Sequence, residues 1–110
     1  MNEWTHWKSM PSPDACKMIE GPTGPGVYQI RNKKTNQFIQ FGIGIECRKR
    51  MKSLFPTPYG SGTRNNTEKR IYILQNWMLL EYRTLSTDTR EEAKHLEDSI
   101  KAQKNHLFNT

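Results

Sequence analysis

The sequence predicts a small α+β domain: a three-stranded antiparallel sheet flanked by helices, in the order β-β-α-α-β-α. Three observations carry that expectation. Residues 26–32 (GVYQIRN) and 38–43 (FIQFGI) are strand-like runs joined by the polar stretch 33–37, the pattern of a hairpin. Residues 77–85 (WMLLEYRTL) form a third strand-like run. Residues 89–104 repeat side chains at steps of three and four (Ala93, Leu96, Ile100, then Gln103 or Leu107), the stripe of an amphipathic helix. With 110 residues the chain fits one domain, and its core is modest because small domains bury less of their surface.

Taken from the start, residues 1–24 read as an N-terminal extension to a domain spanning 25–110. Pro11, Pro13, Pro22 and Pro25 interrupt it, and Gly21 and Gly24 loosen it. Trp4 and Trp7 are spaced to share a face of a short helical turn, either docked on the body or offered to a partner as a stacking surface. In the first strand Val27, Gln29 and Arg31 alternate with Tyr28, Ile30 and Asn32. Residues 45–55 (IECRKRMKSLF) carry a helical period, with Ile45, Met51 and Leu54/Phe55 on one side and Arg48, Lys49 and Lys52 off it; Pro56 ends the helix. Residues 56–66 are a loop rich in Pro, Gly and Asn, long enough to carry function. Residues 67–75 (TEKRIYILQ) suit a helix or a strand, and a cap at Asn66 or Thr67 followed by Glu68, Lys69 and Arg70 favours the helix. Asp88, with Glu91 three residues on, makes a capping-box-like start for the last helix.

No apolar run approaches the roughly 20 residues that a membrane span needs. The start, Met1-Asn2-Glu3-Trp4, lacks the basic-then-apolar order of a signal peptide. Cys16 and Cys47 have no metal-type spacing. Free thiols in a reducing, cytoplasmic compartment are expected, with a Cys16–Cys47 disulfide as the alternative. The net charge of +6 is concentrated: residues 29–70 hold ten Lys/Arg against Glu46 and Glu68, while the segments on either side are each −1. Such a block suits a phosphate backbone or is simply a solvated basic surface.

The chemistry-bearing residues follow an order. Gly26-Val27-Tyr28 opens the first strand, Phe41-Gly42 lies in the second, and Arg50 stands eight residues past that glycine. Glu91-Glu92-Ala93, Leu96-Glu97 and Ile100-Lys101 lie on the last helix, and Asn109 comes twelve residues after Glu97. In order, spacing and expected structure these motifs resemble the GIY-YIG nuclease superfamily over about residues 25–110. The Asn109 spacing is similar to that of the bacterial excision-repair incision nuclease.

The resemblance implies a metal-dependent endonuclease that hydrolyses DNA, leaving 5′-phosphate and 3′-hydroxyl ends; RNA is left open as a partner. Tyr28 would be the base. A phenol has a pKa of about 10, so it needs a nearby cation to act at neutral pH. The planar fork of Arg50 would hold the phosphate. Glu97 would be the one protein ligand to Mg²⁺ or Mn²⁺, and Asn109 would orient the last segment or a water. Gly26 and Gly42 would be structural. Arg48, Lys49, Lys52, Arg64, Lys69 and Arg70 are the candidate contacts to nucleic acid.

Three positions depart from the family pattern. Gln40 replaces the second-motif tyrosine; a carboxamide hydrogen-bonds a water or phosphate but is no base. Ile43 follows Gly42 where many members have Lys, Thr or Ser, and Leu54 stands where a Tyr or His often aids catalysis. Tyr59, His95 or His106 are candidates to compensate, and Arg48 or Lys49 to supply the missing charge. Each site residue also has a plain structural reading: Tyr28 as a packed strand tyrosine, Arg50 as a solvated charge, Glu97 as a partner for Lys101. The alternatives to a minimal stand-alone nuclease are therefore a catalytically weakened binding module of the same fold and, less well matched to the spacing, a small RNA-binding or interaction protein. Target specificity would come from the 56–66 loop, the N-terminal extension or a partner protein.

Overall fold

The computed structural model describes residues 3–55, 59 and 67–108. Its strands are β1 (Lys8–Ser9), β2 (Gly26–Asn32), β3 (Phe38–Gly44) and β4 (Leu80–Ser86), and its helices α1 (Cys47–Met51), α2 (Thr67–Asn76) and α3 (Arg90–Gln103). Short 3-10 segments occupy Pro13–Met18, Lys52–Leu54 and Trp77–Leu79. The strands form one antiparallel sheet in the order β1-β4-β2-β3. The class is α+β as expected, but the sheet has four strands rather than three.

The added strand comes from the segment expected to be an extension. Lys8 and Ser9 pair with Tyr82 and Glu81, and the Met10 amide donates to the Leu80 carbonyl at 3.0 Å. Met10, Cys16 and Ile19 are buried with the residues of β2, β3 and β4. Trp4 and Trp7 dock without a helical turn: the Arg31 guanidinium lies 4.0 Å from the Trp7 ring centre, and Arg83 lies 4.3 Å from that of Trp4 and 4.6 Å from that of Trp7. Half-buried pairs of this kind contribute about 0.5–2 kcal/mol each.

Alternation along β2 sends successive side chains to opposite faces. Tyr28 and Ile30 join the larger core with Ile39, Met51, Leu54, Phe55, Ile73 and Leu80, under α1 and α2. Val27 joins Phe41, Ala93 and Ile100 under α3. Full burial of a side chain such as Phe55 or Ile73 contributes about 1.5–3 kcal/mol. The β2–β3 register shifts between Ile30 and Arg31, leaving Ile39 as an extra residue on β3. That bulge lets Ile39 turn into the larger core although its neighbour Gln40 lies opposite Ile30.

Several element boundaries differ from expectation. The first helix starts at Cys47, so Ile45 precedes it and is exposed, while Met51, Leu54 and Phe55 are buried as the period required. Residues 77–79 form a 3-10 turn before β4 instead of the start of the strand. The cap of α3 is Thr89, whose hydroxyl accepts from the Glu92 amide at 3.2 Å, one position past Asp88. After Gln103 the chain turns through Lys104 at φ 51, so Leu107 lies outside the helix and is exposed. The tail then runs beside β3: the Leu107 amide donates to Phe38 and the Phe108 amide to Ile39, at 3.0 and 2.8 Å. Both cysteines are free and buried. Among the described residues no helix is long and apolar enough to cross a membrane.

Candidate active site

β3 is a sheet edge, and a cleft of about 300 Å³ opens along it. Its floor is Tyr28 from β2 and Gln40, Phe41, Gly42 and Ile43 from β3. Arg50 reaches it from α1, Ser53 and Leu54 from the following 3-10 turn, Lys69 and Arg70 from α2, and Glu97 from α3 on the other face of the sheet. Seven of the expected site residues, Tyr28, Gln40, Gly42, Arg50, Lys69, Arg70 and Glu97, thus line one concavity.

Two glycines make room for this. Tyr28 lies directly across from Gly42, and a Cβ at Gly42 would fall 2.5 Å from the Tyr28 hydroxyl oxygen and 2.7 Å from Cζ. The phenol therefore lies over a position that only glycine leaves open. A Cβ at Gly44 would fall 2.9 Å from Arg50 Cβ, so α1 approaches the end of β3 closely enough to bring Arg50 to the cleft.

Arg50 is exposed, and its guanidinium donates to the Ser53 hydroxyl, which in turn donates to the Arg50 carbonyl at 2.7 Å. Arg70 is buried and its Nε donates to the Ser53 carbonyl at 2.9 Å, tying α2 to the turn after α1. Glu97 is mostly covered and pairs with Lys94 at 3.1 Å. That ion pair lies one turn before the Lys101 position that helical spacing also places beside Glu97.

The phenol of Tyr28 is held protonated. Burial pushes its pKa up, Arg50 and Arg70 pull it down by less, and Cys47 and Glu97 add to the rise. In this state Tyr28 is a hydrogen-bond donor. Burial also lowers the pKa of Lys69, with the Arg50 charge beside it acting in the same direction and Glu97 opposing. Arg70 is lowered by burial and by Arg50. The cations crowd one another around a single carboxylate, an arrangement that favours a polyanionic ligand over a free cation.

Glu97 and the Gln40 amide oxygen give the cleft hard oxygen donors with one carboxylate among them. That set fits a small divalent ion that keeps waters and ligand oxygens in its shell, which needs only one or two carboxylates. It does not make a closed protein cage: among the described residues no three His, Cys, Asp or Glu side chains cluster to hold a metal.

The remaining expected residues lie elsewhere. Lys49 lines a neighbouring groove, and Arg48 and Lys52 are not part of the cleft lining. Arg64 and Asn109 lie outside the described residues. None of the three candidates to compensate for Leu54 lines the cleft: Tyr59 is exposed, His95 borders a groove between β4 and α3, and His106 stacks on Phe38 at 4.9 Å between ring centres. His106 is also buried, which lowers its pKa to about 4. The positive charge that Arg48 or Lys49 was expected to bring to the cleft comes from Lys69 and Arg70 on α2. Sequence reasoning missed Ser53, although its place three residues after Arg50 on a helical turn is a contact spacing.

Comparison with known proteins returned nothing: no family model, no curated protein and no solved structure matches the chain.

Proposed function

We propose that the chain is a GIY-YIG-type endonuclease that hydrolyses phosphodiester bonds of DNA with one divalent metal, Mg²⁺ or Mn²⁺. The observation that carries the proposal is the meeting of Tyr28, Arg50 and Glu97, from β2, α1 and α3, in one cleft with Lys69 and Arg70. Glu97 would hold the metal, which when bound would activate water and offset charge on the phosphoryl group. Arg50, oriented by Ser53, and Lys69 would bind the phosphate oxygens, and Arg70 would add charge from behind. Tyr28, protonated by its burial, would donate a hydrogen bond to a phosphate oxygen or a water, and Gln40 would help to orient that water. RNA would meet the same groups. The two buried free thiols suit a reducing, cytoplasmic setting.

One observation favours a second reading, a binding module of the same fold with weakened turnover. Tyr28 is raised in pKa, not lowered, and Gln40 cannot replace it as a base. Purified protein incubated with supercoiled plasmid, flap, branched and RNA substrates separates the two. Cleavage in Mg²⁺ that stops on chelation is expected. Salt-sensitive binding with no cleavage of any form would select the binding module.

A further inference from the structure

A second groove continues from the cleft past Arg50. It shares Ile43, Arg50 and Ser53 with the cleft and adds Ile45, Lys49 and Arg90. Its charged lining is three cations, Lys49, Arg50 and Arg90, against one carboxylate, Glu46. Glu46 is 3.8 Å from Lys49, and both side chains are so exposed that the pair is readily exchanged for another partner. Ile45 is 62% exposed, an apolar side chain left uncovered beside those cations. Arg90 is flanked in sequence by acidic residues, but Asp88, Glu91 and Glu92 line a separate groove with Leu96. Arg90 itself opens α3, whose N-terminal dipole adds to the positive field there.

We infer that this groove holds the DNA strand flanking the bond in the cleft, with Lys49 and Arg90 on its phosphates and Ile45 against a sugar or base. The inference takes its ligand from the nuclease reading of the cleft; its own support is the continuity of the two cavities and the excess of cations. Arg50 borders both, so a strand crossing it would be gripped on either side of the phosphate it holds.

The test compares two double variants that each remove two positive charges: Lys49→Gln with Arg90→Gln, and Lys33→Gln with Lys34→Gln at the opposite end of the β2–β3 hairpin. The probes are a short fluorescein-labelled DNA duplex and its single strand, read by anisotropy across a salt series. The groove double should weaken binding about tenfold or more and flatten the slope of log K against log salt by about two. The hairpin double should change little. On cleavage, the groove double should raise KM and leave kcat near wild type. Equal losses in the two doubles, or none in the groove double, would overturn the assignment. If wild type cuts nothing but the groove double still selectively loses binding, the cleavage reading fails and the groove stands. If cleavage persists and binding is unchanged, the groove fails alone.

Discussion

Tyr28 and Gly42 are the pair on which the site's geometry turns. Gly42→Ala would put a methyl 2.5 Å from the phenol oxygen, so the ring must move or the hairpin must open. Overpacking of this kind costs about 1–3 kcal/mol, and it should displace Tyr28 from the cleft floor. In a Tyr28→Ala background the same substitution should cost far less, because the atoms it meets are gone. Urea denaturation of the four proteins measures this coupling; equal costs in the two backgrounds would show that the close approach does not matter. The sequence made Tyr28, Arg50 and Glu97 legible through their spacing. It could not give the protonation of Tyr28, which depends on burial beneath α1 and α2, nor that Lys69 and Arg70, already candidate contacts on an expected helix, would share one cleft with it. A polar chain on the opposite face was equally hidden: Arg83 donates to Gln29 Oε1 at 2.8 Å, so the Gln29 amide donates to His106 Nε2 at 3.1 Å. That leaves the proton on Nδ1, which is buried with no partner among the described residues.

At the level of elements, long periodic segments were readable and boundaries set by tertiary contacts were not. β2, β3 and α3 lie within a few residues of their expected spans because their apolar periods are strong. β1 had no signal: two residues, Lys8 and Ser9, are a strand only because the edge of β4 offers them a backbone partner. The start of α3 was misplaced by one residue, since Asp88 and Thr89 both suit a cap and only the backbone decides which oxygen meets the Glu92 amide. Thr89→Ala should therefore cost about 1 kcal/mol, and Asp88→Ala less than about 0.5 kcal/mol. Thermal melts of the two variants check this; a larger cost at Asp88 would return the cap to the expected residue.

Across the whole molecule, the described residues of the basic block 29–70 do not form one surface. Arg31 pairs with Glu81 at 3.5 Å and covers Trp7, Lys33 and Lys34 lie at the hairpin turn, and Lys69 and Arg70 line the cleft. Net charge alone therefore overstated the extent of a binding face and understated how much charge is focused at the β3 edge. The fold brings helices from opposite faces of the sheet to that edge, which is why residues 28, 50 and 97 meet although they are far apart in sequence. The most direct test of the proposed chemistry is plasmid nicking by wild type and Glu97→Ala in Mg²⁺. The Glu97–Lys94 pair is partly exposed and contributes about 0–1 kcal/mol, so the variant should fold, as circular dichroism would verify. Loss of nicking by at least about a hundredfold in the folded variant is the predicted result; equal nicking by both proteins would contradict the assignment of Glu97 and, with it, the nuclease site.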